Sequence, residues 1–193
     1  MMKRKICVID NYDSFVYNLV HIIEGLDAGE IVVYKNDEID FEELRHCDKI
    51  LLSPGPGVPR ESGQLMEVIH QFHQTHSILG VCLGHQAIGE FFGWQLTQLS
   101  RPLHGIPTEV SVIADSPLFH QIPKNFLIGH YHSWVITPPE NAMNHLLEVT
   151  AVNQHNHVMS IKHKHLPIYG VQFHPESIMT EFGREMLANW VNS

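Results

Sequence analysis

GVCLGHQAIGEFFGW, residues 80–94, holds a cysteine with a glycine two residues away on each side, where one pattern gives way to another. Before it, SILGV (77–81) is short and apolar, like a buried strand. After it, apolar residues recur at helical spacing over 84–93. A nucleophile elbow places a reactive side chain on such a tight strand-to-helix turn, with small neighbours leaving room for the strained backbone. Gly80-Val81-Cys82-Leu83-Gly84 has that form, with cysteine as the nucleophile. The helix N-terminus just beyond it favours negative charge. The competing reading is a small cysteine buried beside glycines.

Working outward, the same β-then-α alternation repeats. KICVID (5–10), IVVYK (31–35) and KILLS (49–53) read as strands. Asp13 or Ser14 is expected to cap a helix carrying Phe15, Leu19, Ile22 and Ile23. An amphipathic helix is expected over 62–74. This order predicts an α/β fold with a central, mostly parallel sheet flanked by helices on both faces. The second half differs. EVSVI, FLIGHYH, LLEVTAV, VMSIKH and PIYGVQF read as strands between turns, part of them antiparallel, and EFGREMLANWV (181–191) as a closing helix. With no linker, repeat or low-complexity stretch, residues 1–193 are expected to form a single domain.

The totals narrow the function. A hydrophobic fraction of 44% and a charged fraction of 17% belong to a globular chain. A formal net charge of -9 argues against a nucleic-acid partner. Lys3-Arg4-Lys5 is followed by four apolar residues before Asp10, too few for a signal peptide, and no run reaches membrane-spanning length. Three cysteines, Cys7, Cys47 and Cys82, suit a reducing compartment, so the expected location is cytoplasmic. Among 16 histidines, His70, His73 and His76 recur at helical spacing, and His155, His157, His163 and His165 alternate. Without HExxH or CxxC these are expected to be solvated histidines rather than a metal site.

Two further stretches bear on the cysteine. In GVQFHPES (170–177), His174 and Glu176 lie two apart at a strand end, where extended geometry would point them to one side. A base oriented by a carboxylate is what a cysteine nucleophile requires. An exposed strand-end HPE is the bland alternative. In SPGPG (53–57) the glycines can turn backbone N–H groups toward a ligand at the carboxyl edge of the sheet, although an ordinary loop would look the same.

SPGPG, GVCLGHQ and QFHPES, in this order, resemble the class I glutamine amidotransferase family over nearly the whole chain. IDNYDSFVYNLV (9–20) and FHPESIMTEFG (173–183) are similar to the small glutaminase subunits of two chorismate-using enzymes, anthranilate synthase and aminodeoxychorismate synthase. The relatives that make guanine or cytosine nucleotides or carbamoyl phosphate usually open differently. The resemblance implies a flavodoxin-like fold and a Cys82-His174-Glu176 triad. It implies an oxyanion hole of Gly57 and Leu83 N–H groups, and L-glutamine held by Gly55, Pro56, Gly57, Gln86, Ser133 and Trp134. It implies no cofactor and no metal. The large chorismate-binding subunit would dock on Asn11, Tyr12, Asp13, Ser14, Phe15 and Ser177.

Three positions depart from the family pattern. In GHYHSW (129–134), His130 stands for an arginine and Trp134 for a leucine; in LHGIPTEV (103–110), Ile106 stands for a lysine. The two lost charges are expected to affect partner docking or its regulation, and Trp134 the pocket wall. The competing functions are a cysteine peptidase or γ-glutamyl hydrolase on a similar scaffold, which do not predict IDNYDSF or SPGPG, and a silent binding subunit, against which the intact triad argues.

Overall fold

In a computed structural model, which describes residues 4–140 and 146–193 and only the backbone of 101–104 and 106, the apolar runs form the expected parallel strands. They are β1 (Lys5–Asp10), β2 (Glu30–Lys35), β3 (Lys49–Leu52), β4 (Ser77–Val81) and β9 (Ile168–Val171). Strands β5 (Gln95–Val112), β6 (Asn125–Thr137), β7 (Leu147–Asn153) and β8 (Val158–His163) are antiparallel additions. All nine form one sheet in the order β2-β1-β3-β4-β9-β8-β7-β5-β6. The pairings from β2 to β9 are parallel, and those from β9 to β6 antiparallel.

Alternation along the strands builds two cores. Ile6 and Val8 of β1 face one side, with α1 (Val16–Glu24) and α5 (Gly183–Asn192). Cys7 and Ile9 face the other, with α2 (Phe41–Leu44), α3 (Leu65–Phe72) and α4 (Leu83–Phe91). Both faces are apolar, as parallel strands covered on two sides require. The strand order reverses between β1 and β3, so the segments after them, from Asn11 and from Ser53, flank the crevice where open α/β sheets bind ligands. Asn11 N–H donates to Ser53 Oγ at 2.9 Å, and Asn11 Nδ2 to the Ser53 carbonyl at 2.9 Å, tying the two segments together.

The structure corrects several expectations. Neither Asp13 nor Ser14 caps α1; the helix starts after Phe15, and the Asp13 carboxylate instead accepts the Phe15 N–H at 2.8 Å in a turn. The strand around EVSVI is far longer, running back to Gln95. A long β5–β6 hairpin pairs Gln95–Gln98 with Trp134–Thr137, beyond where β7 joins. The helix expected over 62–74 spans only Leu65–Phe72. Not all the histidines are solvated. His76 is buried edge-on to Phe72, and the buried His163 Nδ1 accepts the N–H groups of His165 and Leu166. Among the described residues no group of three or more His, Cys, Asp or Glu could hold a metal ion, and no helix is long and apolar enough to cross a membrane.

Candidate active site

Cys82 lies between β4 and α4 at φ 51°, ψ −99°, a backbone conformation that an L-residue avoids. Two bonds hold it there. Its N–H donates to the Val171 carbonyl of β9 at 2.8 Å, and its carbonyl accepts the Gln86 N–H at 3.0 Å. The flanking glycines set how closely the turn can approach the sheet. A Cβ on Gly80 would overlap the Gly84 backbone, and a Cβ on Gly84 would overlap the Leu52 carbonyl of β3. Only bare backbone lets the turn sit this close to the sheet.

His174 and Glu176 follow β9 in a turn, not in extended chain. Ser177 N–H closes it on the His174 carbonyl at 3.1 Å, with Pro175 at the second position, which that turn favours. The turn still brings the side chains together, with His174 Nδ1 2.6 Å from Glu176 Oε1. Both side chains are buried. His174 Nε2 is buried without a hydrogen-bond partner, as is Glu176 Oε2. Burial pulls the imidazole pKa down; interactions with Cys82 and Glu176 outweigh that and push it up to about 10. The ring is wedged edge-on between Phe15, at 5.8 Å between centroids, and Tyr131, at 5.0 Å.

A cavity of about 240 Å³ opens on the cysteine, lined by Gly55, Pro56, Gly57, Cys82, Gln86 and residues 131–134. The structure therefore gathers Gly55, Pro56, Gly57, Gln86, Ser133 and Trp134 around one space. Gly57 has φ +75° with open space where a Cβ would stand, and Leu83 opens α4. Neither N–H has a hydrogen-bond acceptor among the described residues. A larger hollow of about 720 Å³, bordered by Val112, Asp115, Lys124 and Lys162, holds no cysteine and none of these residues.

The family model for glutamine amidotransferase class-I matches residues 7–193. The chain belongs to this family. Among curated amidotransferases and their components, it is 44% identical over 97% of its length to a provisionally named anthranilate synthase component II of Haemophilus influenzae, covering 95% of that protein. It is 41% identical over 97% of its length to the aminodeoxychorismate/anthranilate synthase component 2 of Bacillus subtilis, covering 96%. A solved structure from Thermoplasma acidophilum, provisionally named as a component of GMP synthase, is similar with a TM-score of 0.86 and 28% identity, over all of this chain and 94% of that one.

Around this cavity the sequence reading missed several residues. Gln172 is fully buried, and its Nε2 lies 3.6 Å from Cys82 Sγ. It stands inside the quoted QFHPES, but an amide in a strand-like run carries no signal of its own. Thr180 Oγ1 donates to the His174 carbonyl at 2.6 Å and accepts the Gly129 N–H at 3.0 Å, anchoring the HPE turn to β6. His132 lines the cavity.

His130 is buried, and burial pushes its pKa down to about 4, so the ring is neutral at physiological pH. Asn11 is buried too, bonded to Ser53 and Asn36, and offers no side chain for docking. Tyr12 and Ser14 are exposed; Asp13, Phe15 and Ser177 are half-buried. The Ile106 side chain lies outside the described residues.

Proposed function

We propose that this chain is the glutaminase subunit of a chorismate-using synthase, releasing ammonia from L-glutamine for anthranilate or aminodeoxychorismate synthesis. The observation that carries the proposal is the cavity that exposes Cys82 beside the His174–Glu176 pair, 2.6 Å apart. The names of the two curated relatives, both more than 40% identical, support the chorismate-using partner over the nucleotide enzyme named for the more distant structure.

In the proposed reaction the Cys82 thiol first passes its proton to His174, and the Sγ thiolate then attacks the side-chain amide carbon of glutamine. The oxyanion is received by the Gly57 and Leu83 N–H groups; losing one such donor typically costs about 10²–10³ in rate. As the tetrahedral intermediate collapses, His174 returns the proton to the nitrogen, the C–N bond breaks and ammonia leaves. A γ-glutamyl thioester remains. Water deprotonated by His174 then attacks it, releasing glutamate and the thiol. Glu176 holds Nδ1 and balances the imidazolium charge. Gly55, Pro56, Gln86, Ser133 and Trp134 hold the glutamine. The partner would dock on the exposed Tyr12 and Ser14, with Asp13, Phe15 and Ser177 beside them. We place the protein in the cytosol, a reading that its three unpaired cysteines support.

The test is Cys82→Ala in the complex reconstituted with the large subunit. Glutamine-dependent synthesis should vanish while synthesis from added ammonia persists, because the thiol acts only in releasing ammonia. If both fell together, Cys82 would be structural and the reading would fail.

A further inference from the structure

Phe126, Ile128, His130 and His132 are buried at alternate positions of β6, so two histidines share a face with apolar residues. Buried imidazoles are costly unless their nitrogens are bonded, and here all four are. His132 Nδ1 lies 3.0 Å from the Trp134 carbonyl oxygen, His132 Nε2 2.9 Å from His130 Nδ1, and His130 Nε2 2.6 Å from Thr108 Oγ1. Thr108 comes from the neighbouring β5, one step diagonal to His130 in the register.

One end fixes the direction of the whole chain. A carbonyl oxygen only accepts, so His132 Nδ1 carries a hydrogen. Burial pushes His130 down to about 4 and His132 to about 3, which leaves each ring neutral with a single N–H. His132 Nε2 is therefore an acceptor, His130 Nδ1–H donates to it, and the Thr108 hydroxyl donates to His130 Nε2. The far end meets the cavity. The same Trp134 carbonyl accepts Gln86 Nε2 at 3.0 Å, and Gln86 Nε2 also donates to Gln172 Oε1 at 3.2 Å. Both hydrogens of the Gln86 amide are thus used, and its Oε1 is left as the acceptor for an N–H of a bound ligand.

We infer that Thr108, His130 and His132 are positioning residues whose one-directional hydrogen-bond chain holds the Trp134 carbonyl, and through it the Gln86 amide, in the substrate-binding orientation. The inference rests on the glutamine reading of the cavity. His132 lines the cavity, but both its nitrogens are engaged within the chain, so it acts through the wall and not on the substrate. Reversing His132 would set two acceptors against each other at Trp134, and reversing His130 alone would set two acceptors against each other between the rings.

Nitrogen-15 NMR of the imidazoles tests the direction: both His130 and His132 should be Nδ1–H tautomers. Thr108→Val removes the first donor at nearly constant volume. It should raise the KM for glutamine about five- to tenfold, the worth of one part-buried hydrogen bond, with kcat for glutamate release within about twofold. Thr108→Ser should restore the wild-type KM. An Nε2–H tautomer at either ring, or an unchanged KM in Thr108→Val, overturns the inference. If the wild type released no glutamate, the amidotransferase reading would fall, while the tautomers would still decide the direction of the chain.

Discussion

At the scale of single residues, His174 combines a buried ring with a raised affinity for its proton. Phe15 and Tyr131 shut out water, which alone would drive the proton off; Cys82 and Glu176 keep it on, up to about pH 10. The consequence for stability has a definite sign. The folded chain holds this proton more tightly than the unfolded chain, whose histidine titrates near 6.5. The stabilisation is therefore complete below that value and is lost as pH rises toward about 10. Replacing Glu176 by Gln removes one of the two groups that favour the proton. We expect the urea midpoint of the wild type to fall more steeply than that of Glu176→Gln between about pH 6.5 and 10. Parallel curves would mean that Glu176 does not set the proton affinity of His174.

At the scale of elements, the elbow is a contact between β4, α4 and β3 that admits no side chain at either glycine. Gly84→Ala would press a methyl group on the Leu52 carbonyl, backbone against backbone, where nothing can rotate aside. Overpacking of this kind costs about 1–3 kcal/mol. A lower urea midpoint with the far-UV spectrum retained is expected; an unchanged midpoint would show that β3 yields. This part of the fold was legible because short apolar runs, glycines and a 3.6-residue period mark strand, turn and helix separately. The β5–β6 hairpin was not. QLTQLSRPLHGIP contains proline, glycine and charge, and becomes strand by pairing with β6 rather than by its own pattern. His174 and Glu176 could be picked out from QFHPES, but the turn that joins them could not, since two-residue spacing fits extended chain equally well. His130 and Gln172 escaped for a related reason. A single polar letter does not reveal that its side chain is buried and fully bonded.

At the scale of the molecule, the cavity opens at the carboxyl edge of the sheet beside exposed apolar groups. Ile178 is wholly exposed two residues after Glu176, and Tyr12 stands out from the β1–α1 loop, its hydroxyl donating to Asp37 at 2.6 Å. Ser177 is a poorer probe of docking than its position suggests, because its Oγ accepts the Met179 N–H at 3.2 Å within the turn. Tyr12→Ala and Ile178→Asp should each lower the affinity for the large subunit by about tenfold, the effect of a moderate interface contact. Their urea midpoints should match the wild type. Unchanged affinity in both variants would place the docking face elsewhere. Phe15 lies in the same loop and touches the His174 ring, so a partner that settles this loop also settles the imidazole.

The position of Trp134 at the cavity has an optical consequence. The chain has three tryptophans, and Trp94 and Trp190 are 4% and 0% exposed in the two cores, far from changing solvent. Trp134 alone borders the cavity, half-buried. Any ligand that enters displaces water from one indole in three, while the other two supply a constant background of emission. The pocket thus carries its own fluorophore, and occupancy can be followed by its colour and quenching without a label.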